Sequence, residues 1–242
     1  MIEFEIVTLF PEMFTAFLAG SLLGKAVDAG TVRVFFTSPR DFATDRHRTV
    51  DDVPYGGGVG MVMKPEPLAR AIEAAEAARG RAHRVLLSPA GRPLDQEAVQ
   101  ALSARPRVLL LCGRYEGIDE RVRTRLCDQA ISIGDYVLSG GEPAAMVIID
   151  AVARLLPGVL GKAASTVEES FSEPLLEYPQ FTRPPEWAGE AVPEILLSGH
   201  HERIRRWRRR EQLLRTRALR PDLFAKHELT AEDRRLLESE EP

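Results

Sequence analysis

Short apolar runs alternate with stretches whose apolar residues recur every three or four positions, and this holds as far as about residue 156. The runs Phe4–Leu9, Val32–Thr37, Arg84–Leu87, Val108–Cys112 and Ala130–Ile133 predict strands. The intervening segments Pro11–Ala29, Pro65–Ala78, Asp95–Ala104, Asp119–Leu126 and Glu142–Leu156 predict helices. In the first of these, Met13, Phe14, Phe17, Leu18 and Leu22 fall on one face at a period of 3.6. Val108-Leu109-Leu110-Leu111 is continuously apolar, as a strand covered on both faces should be. Strands alternating with helices imply an α/β fold, a parallel sheet with helices on both sides.

The pattern breaks twice. Between Pro39 and Pro65 the chain is first charged, then glycine-rich, with no clear period. A structureless segment of that length in a compact domain is usually functional or disordered. The second break runs from Pro157 to about Glu177, with Gly158, Gly161, Ser165, Ser170, Ser172 and four glutamates, and reads as an interdomain linker. Beyond it lies a small, mainly helical region ending in a polar tail.

Charge changes this picture more than composition does. Hydrophobic residues are 44% and charged residues 28% of the 242, ordinary globular usage. The net charge of −4 is unevenly spread: His200 to Arg220 holds nine arginines and two glutamates, so that segment carries +7 and the remainder −11. Six of those arginines fall within Arg203–Arg210, a density that points to phosphate contacts over a merely solvated face. Ile204, Trp207, Leu214 and Ala218 form one stripe of this helix, so it is expected to pack by that side and turn Arg205, Arg208 and Arg209 outward. Two cysteines, Cys112 and Cys127, without Cys-x-x-Cys spacing, fit a reducing cytoplasm and buried small apolar roles. No apolar run reaches the roughly 18 residues of a membrane span, and the N-terminus lacks a secretory pattern.

Three successive strands end in glycine-bearing loops: Ser88-Pro89-Ala90-Gly91, Gly113-Arg114-Tyr115-Glu116-Gly117, and Ile133-Gly134 through Gly140-Gly141. Each alone is an ordinary turn. Together they form the place where parallel sheets bind ligands, beyond the carboxyl ends of the strands. The ligand is not an ordinary nucleotide, because neither G-x-x-x-x-G-K-[ST] nor a strand-to-helix G-x-G-x-x-G occurs. No H-E-x-x-H or Cys/His cluster reads as a metal site, and His47, between Arg46 and Arg48, reads as an exposed polar contact. The mixed-charge Asp45–Asp52 segment before Gly56-Gly57-Gly58 is either a mobile surface loop or a lid carrying arginines to a phosphate backbone.

Several blocks carry a family resemblance. They are Leu9–Phe14, Ser38–Asp52, Tyr55–Met61, Leu87–Pro89, Cys112–Arg121, Ser132–Glu142, Pro157–Gly161 and Leu196–His200. In order and spacing over essentially the whole chain, they resemble the bacterial tRNA (guanine-37-N1)-methyltransferases of the SPOUT superfamily. The resemblance implies a SPOUT-type parallel sheet with a deep trefoil knot, which general topology rules would not predict. It also implies a small helical C-terminal domain, with a knotted cofactor domain over 1–160, a linker over 161–175 and a tRNA-binding domain over 176–242. The implied partners are tRNA and a second copy, in a homodimer that shares its active site; no membrane is involved. The implied cofactor is S-adenosyl-L-methionine, with Mg²⁺ supporting activity. Its expected contacts are Leu86, Leu87, Ser88, Pro89, Gly113, Glu116, Ile133, Gly134, Asp135, Tyr136, Val137, Leu138, Gly140 and Gly141. Expected contacts to tRNA are Arg46, His47, Arg48, Asp51, Gly58, Ser198, Arg205 and Arg208.

The chemistry sets its own demands. N1 of neutral guanine carries a proton, which a general base must take while the methyl donor is held in line. An ordinary carboxylate is mismatched with so weak an acid by several pK units, each about 1.4 kcal/mol. A cation near O6 offsets this by stabilising the developing negative charge. The resemblance places the cation at Arg154 and the base in the linker, where this chain has Glu169 in place of the family's usual aspartate, with Glu168 as the second choice. A further departure is Gly141-Glu142-Pro143, whose proline stands one position earlier than is common. Two other readings remain: an RNA-binding protein that keeps the fold without the activity, and a related enzyme acting at another RNA position.

Overall fold

Val108 to Leu111 lie in the central strand of a five-stranded parallel sheet in a computed structural model that describes residues 1–160 and 169–238. The strands are β1 (Ile2–Val7), β2 (Val32–Thr37), β5 (His83–Pro93), β6 (Arg107–Cys112) and β7 (Gln129–Ser132), in the order β2-β1-β6-β5-β7. Between β2 and β5 a short antiparallel pair, β3 (Asp51–Asp52) and β4 (Val62–Met63), brackets the glycine-rich segment expected to be without structure. Period-two alternation divides β6 between two cores: Val108, Leu110 and Cys112 enter one, Leu109 and Leu111 the other. Helices α2 (Ser21–Asp28), α4 (Gln96–Ser103) and α6 (Glu142–Ala153) supply the first core, and α3 (Pro65–Arg79) and α5 (Glu120–Leu126) the second. A sheet covered on both faces is the reason for the continuous apolar run.

The helix predicted over Pro11–Ala29 is broken into a 3-10 turn (Pro11–Phe14), α1 (Thr15–Ala19) and α2. Gly20 takes an extended conformation (φ −98°, ψ 152°), which ends the shared face. Phe14 is fully buried, but Met13 and Leu22 are 42% and 41% exposed. Strand β5 also does not stop at Leu87. Leu87 and Arg92 both register with Ile131, so residues 88–91 bulge out and pairing with β7 resumes at Arg92 and Pro93.

The chain divides into two compact units, Met1–Lys162 and Ala163–Pro242. In the second, a two-stranded hairpin, β8 (Glu186–Trp187) and β9 (Glu190–Ala191), precedes α7 (Glu194–Leu197), α8 (His201–Leu219), α9 (Pro221–Phe224) and α10 (Ala231–Glu238). The arginine-rich α8 buries Trp207, Leu213 and Thr216, whereas Ala218, expected on the packed stripe, is exposed. Of the arginines expected to point outward, Arg208 is half-buried and Arg209 is drawn into the packing. The Arg209 guanidinium bonds Asp233 at 2.7 Å and Glu173 at 2.9 Å. The Asp233 side chain is 1% exposed. Burial works to raise the Asp233 pKa, but hydrogen bonds from Arg209 and Thr230 outweigh it and hold the carboxyl well below its ordinary value.

Asp233→Ala is therefore expected to destabilise the second unit by about 3 kcal/mol, the low end for breaking a buried pair because Arg209 stays partly exposed. Urea unfolding at neutral pH measures it. Because the folded-state pKa is depressed, this stabilisation is present above the unfolded pKa of about 3.9 and is lost as pH falls through the folded value.

Candidate active site

Beyond the carboxyl ends of β5, β6 and β7 lies a cleft of about 350 Å³, within the range of small-molecule sites. Its walls are the 88–91 bulge, the loop from Gly113 to Ile118, and the segment from Ile131 to Gly141. Of the cofactor contacts expected from the sequence, all line this cleft except Asp135, which is exposed beside it. Arg114, Tyr115, Gly117 and Ser139 also line it, within the two glycine-rich loops expected to do so, and Ile118, Ile131, Ser132 and Ala144 line it from outside them.

Local hydrogen bonds shape each wall. Ser132 Oγ donates to the Gly134 carbonyl at 3.1 Å, and the Tyr136 hydroxyl donates to the Ile133 carbonyl at 3.3 Å. Gly141 N–H donates to the Gly113 carbonyl at 2.9 Å, joining the two larger loops. The Gly113–Gly117 loop is also joined to β4, with Met63 N–H donating to the Gly117 carbonyl and Glu116 N–H to the Met61 carbonyl. That join seats the Gly56–Gly60 segment beside the cleft. The lining is mostly apolar (Leu86, Leu87, Ile131, Ile133, Val137, Leu138), interspersed with backbone polar groups and the Glu116 carboxylate. Apolar walls with a few convergent polar groups and one carboxylate suit a cofactor that carries adenine and a net positive charge, so these residues fit S-adenosyl-L-methionine.

Three of the five expected tRNA contacts of the first unit gather on one turn. Arg46, His47 and Arg48 are exposed on a turn built around Asp45, which accepts from His47 N–H at 2.9 Å and from Thr49 Oγ1 at 2.9 Å. The Thr49 hydroxyl holds the Asp45 carboxyl below its ordinary pKa. Arg48 pairs with Asp41 at 3.5 Å. Asp51 sits in β3, and Gly58 is exposed with a φ of 131°. Arg154 follows α6 as its C-cap, exposed on a separate recess with Asp150, Ser21 and Phe17.

In the second unit, Glu169, Arg205 and Arg208 come together on one cleft of about 560 Å³, with Tyr178, His201 and Arg209. The Arg208 guanidinium lies 4.7 Å from the centre of the Tyr178 ring. Arg205 bonds Glu202 at 2.8 Å and Glu232 at 3.1 Å. Ser198 stands apart on the turn after α7, its hydroxyl donating to the Ile195 carbonyl at 2.7 Å. Glu168 lies outside the described residues.

Neither cysteine has the lowered pKa of a reactive thiolate. Burial pushes Cys112 well above its ordinary value, and burial pushes half-buried Cys127 up to about 11. Among the described residues, no group of three or more His, Cys, Asp or Glu is placed to hold a metal ion. Among them, too, no helix is long and apolar enough to cross a membrane.

A ligand cleft at the ends of parallel strands, with an appended arginine-rich unit, defines an α/β enzyme equipped for a polyanionic substrate. Comparison with known proteins gives the family. Residues 2–226 match the family model described as tRNA (Guanine-1)-methyltransferase TrmD. The chain is 57% identical to the tRNA (guanine-N(1)-)-methyltransferase of Anaeromyxobacter sp. (strain K), over 98% of this chain and 97% of that protein. It is 60% identical to the enzyme of that name from Chloroflexus aggregans (strain MD-66 / DSM 9485), over 93% and 88%. The crystal structure of tRNA (m1G37) methyltransferase from Aquifex aeolicus is similar with a TM-score of 0.75 and 40% identity, covering 93% of this chain and 95% of that one. The chain belongs to the tRNA (guanine-1)-methyltransferase TrmD family.

Proposed function

We infer that the protein methylates N1 of the guanine at position 37 of tRNA, 3′ to the anticodon, using S-adenosyl-L-methionine. The observation that carries this is the family match over residues 2–226, which reaches into both compact units. The cofactor supplies an electrophilic methyl group on sulfur. The backbone groups of the Gly113–Gly117 and Gly134–Gly141 loops would hold it against the apolar side chains of the same cleft. Glu169 takes the N1 proton, and Arg154 stabilises the charge that develops at O6. The Arg46–Asp51 turn, Gly58, Ser198, Arg205 and Arg208 contact tRNA.

The deep trefoil knot, the homodimer and the cytoplasmic location belong to the same reading. Support for a second copy comes from large apolar side chains left exposed at the cleft and its flanking loop, such as Val137 at 86% and Val59 at 92%. An unmodified tRNA transcript incubated with labelled S-adenosyl-L-methionine, with and without Mg²⁺, tests the activity after digestion to nucleosides. The expected product is 1-methylguanosine; a different nucleoside, or none, overturns the assignment.

Arg208→Met is expected to weaken tRNA binding severalfold, reduce its salt dependence by about one phosphate contact, and leave cofactor affinity unchanged. Filter binding across a salt series measures it. A parallel loss of cofactor affinity would make Arg208 a structural residue.

A further inference from the structure

The Leu9–Phe14 block was given no role above, yet its Phe10 and Met13 side chains pack against Arg114 in the wall of the cleft. Thr8, fully buried after β1, donates through Oγ1 to Glu142 Oε1 at 2.7 Å. Glu142 begins α6 and is itself 0% exposed. Its other oxygen lies 2.9 Å from the Arg114 guanidinium. That guanidinium lies 4.4 Å from the centre of the Phe10 ring, and it donates to the Ser139 carbonyl at 3.3 Å. Gly140 is pressed against it: a Cβ there would stand 2.2 Å from Arg114 Nε.

We propose that Arg114 is a positioning residue for methyl transfer, clamped between Phe10, Glu142 and Gly140 so that it sets the spacing of the two glycine-rich walls of the cleft. The proposal rests on the reading of that cleft as the cofactor site. Only a planar guanidinium can stack on the ring, lie flat on a glycine backbone and reach a carboxylate together. The geometry is tight but not fully satisfied. Neither Arg114 Nε nor Glu142 Oε2 makes a well-aligned hydrogen bond among the described residues, so charge and packing hold the pair. Such a clamp transmits a displacement of either loop to the other. An antiparallel bridge between Arg114 and Gly140 ties the same two backbones.

A purely structural ion pair and a positioning clamp predict different outcomes. Arg114→Lys keeps a cation beside Glu142 but loses the plane. The double variant Arg114→Met with Glu142→Gln removes the buried charge as well while keeping an acceptor for the Thr8 hydroxyl, which a fold tolerates far better than an orphaned carboxylate. Both are expected to melt within about 4 °C of the unaltered protein. Both should bind S-adenosylhomocysteine about tenfold more weakly in calorimetry, because a small displacement of the walls is costly. The KM for the methyl donor should rise while that for tRNA holds. Without ligand, amide exchange should quicken at Gly113–Gly117 and Ser139–Gly141 and nowhere else. Affinity within twofold of the unaltered protein in either variant overturns the clamp alone. Failure of the unaltered protein to bind S-adenosylhomocysteine overturns the cleft reading and the clamp with it.

Discussion

Glu169→Gln is expected to slow single-turnover methylation of tRNA by about 100-fold or more, with binding of tRNA and of S-adenosylhomocysteine unchanged. A positioned general base contributes roughly 10²–10⁴ in rate, and glutamine keeps the shape while losing the ability to take the N1 proton. Glu169 lines the second unit's cleft with Arg205 and Arg208, so the carboxylate stands among the cations proposed to hold the substrate's phosphates. Its backbone is fixed as well, the Glu169 carbonyl accepting from Ser172 N–H at 3.2 Å and from Ser172 Oγ at 2.7 Å. Glutamate reaches one methylene further than an aspartate at the same position would, and a misplacement of about 1 Å costs roughly 100-fold. Glu169→Asp therefore separates two accounts. If the surrounding segment is fitted to the longer side chain, the aspartate variant is expected to lose tenfold or more. A rate equal to that of the unaltered protein would mean the segment adjusts to either carboxylate. Full single-turnover activity in Glu169→Gln would remove Glu169 from the chemistry.

The elements that were legible in the sequence are those whose neighbours are local or whose pattern is repeated. The continuous apolar run of β6 marked a strand buried on both faces, and glycines after three successive strands marked the cleft. Contacts between distant residues were not legible. A charge run on α8 gives no sign that Asp233 claims Arg209 from another helix, so an arginine expected in solvent is part of the packing. Likewise, nothing in the order Gly-Gly-Glu-Pro shows that Glu142 is buried with Thr8 on one oxygen and Arg114 on the other. The bulge in β5 was hidden for a different reason. Pro89 and Gly91 are ordinary strand terminators, and only the renewed register of Arg92 and Pro93 with β7 shows that the chain returns to the sheet. Gly20 misled in the opposite sense: the apolar spacing continued across it, but its backbone did not.

Gly141→Val is expected to abolish measurable binding of S-adenosylhomocysteine, and Gly141→Ala to weaken it about tenfold or more. Gly141 has φ −79° and ψ −11°, a conformation open to any residue, so backbone freedom is not the reason for glycine here. Space is the reason. A Cβ at this position would stand 2.8 Å from Cys112 Cα and 3.2 Å from Gly113 N, and backbone atoms of a central strand cannot yield as a flexible side chain can. Relief must come from moving the Ser139–Gly141 segment away from β6. That lengthens the 2.9 Å bond from Gly141 N–H to the Gly113 carbonyl and parts the walls that line the cleft. Overpacking of this kind costs about 1–3 kcal/mol of stability, which a chain of this size can absorb, so the variant should fold and fail in binding. Gly20→Ala is the matched control, since a Cβ there meets nothing closer than 3.5 Å and Gly20 lies outside the cleft. Calorimetric titration of the three variants decides the matter. Equal affinity in Gly141→Ala and Gly20→Ala would show that the two walls move independently of the ligand they hold.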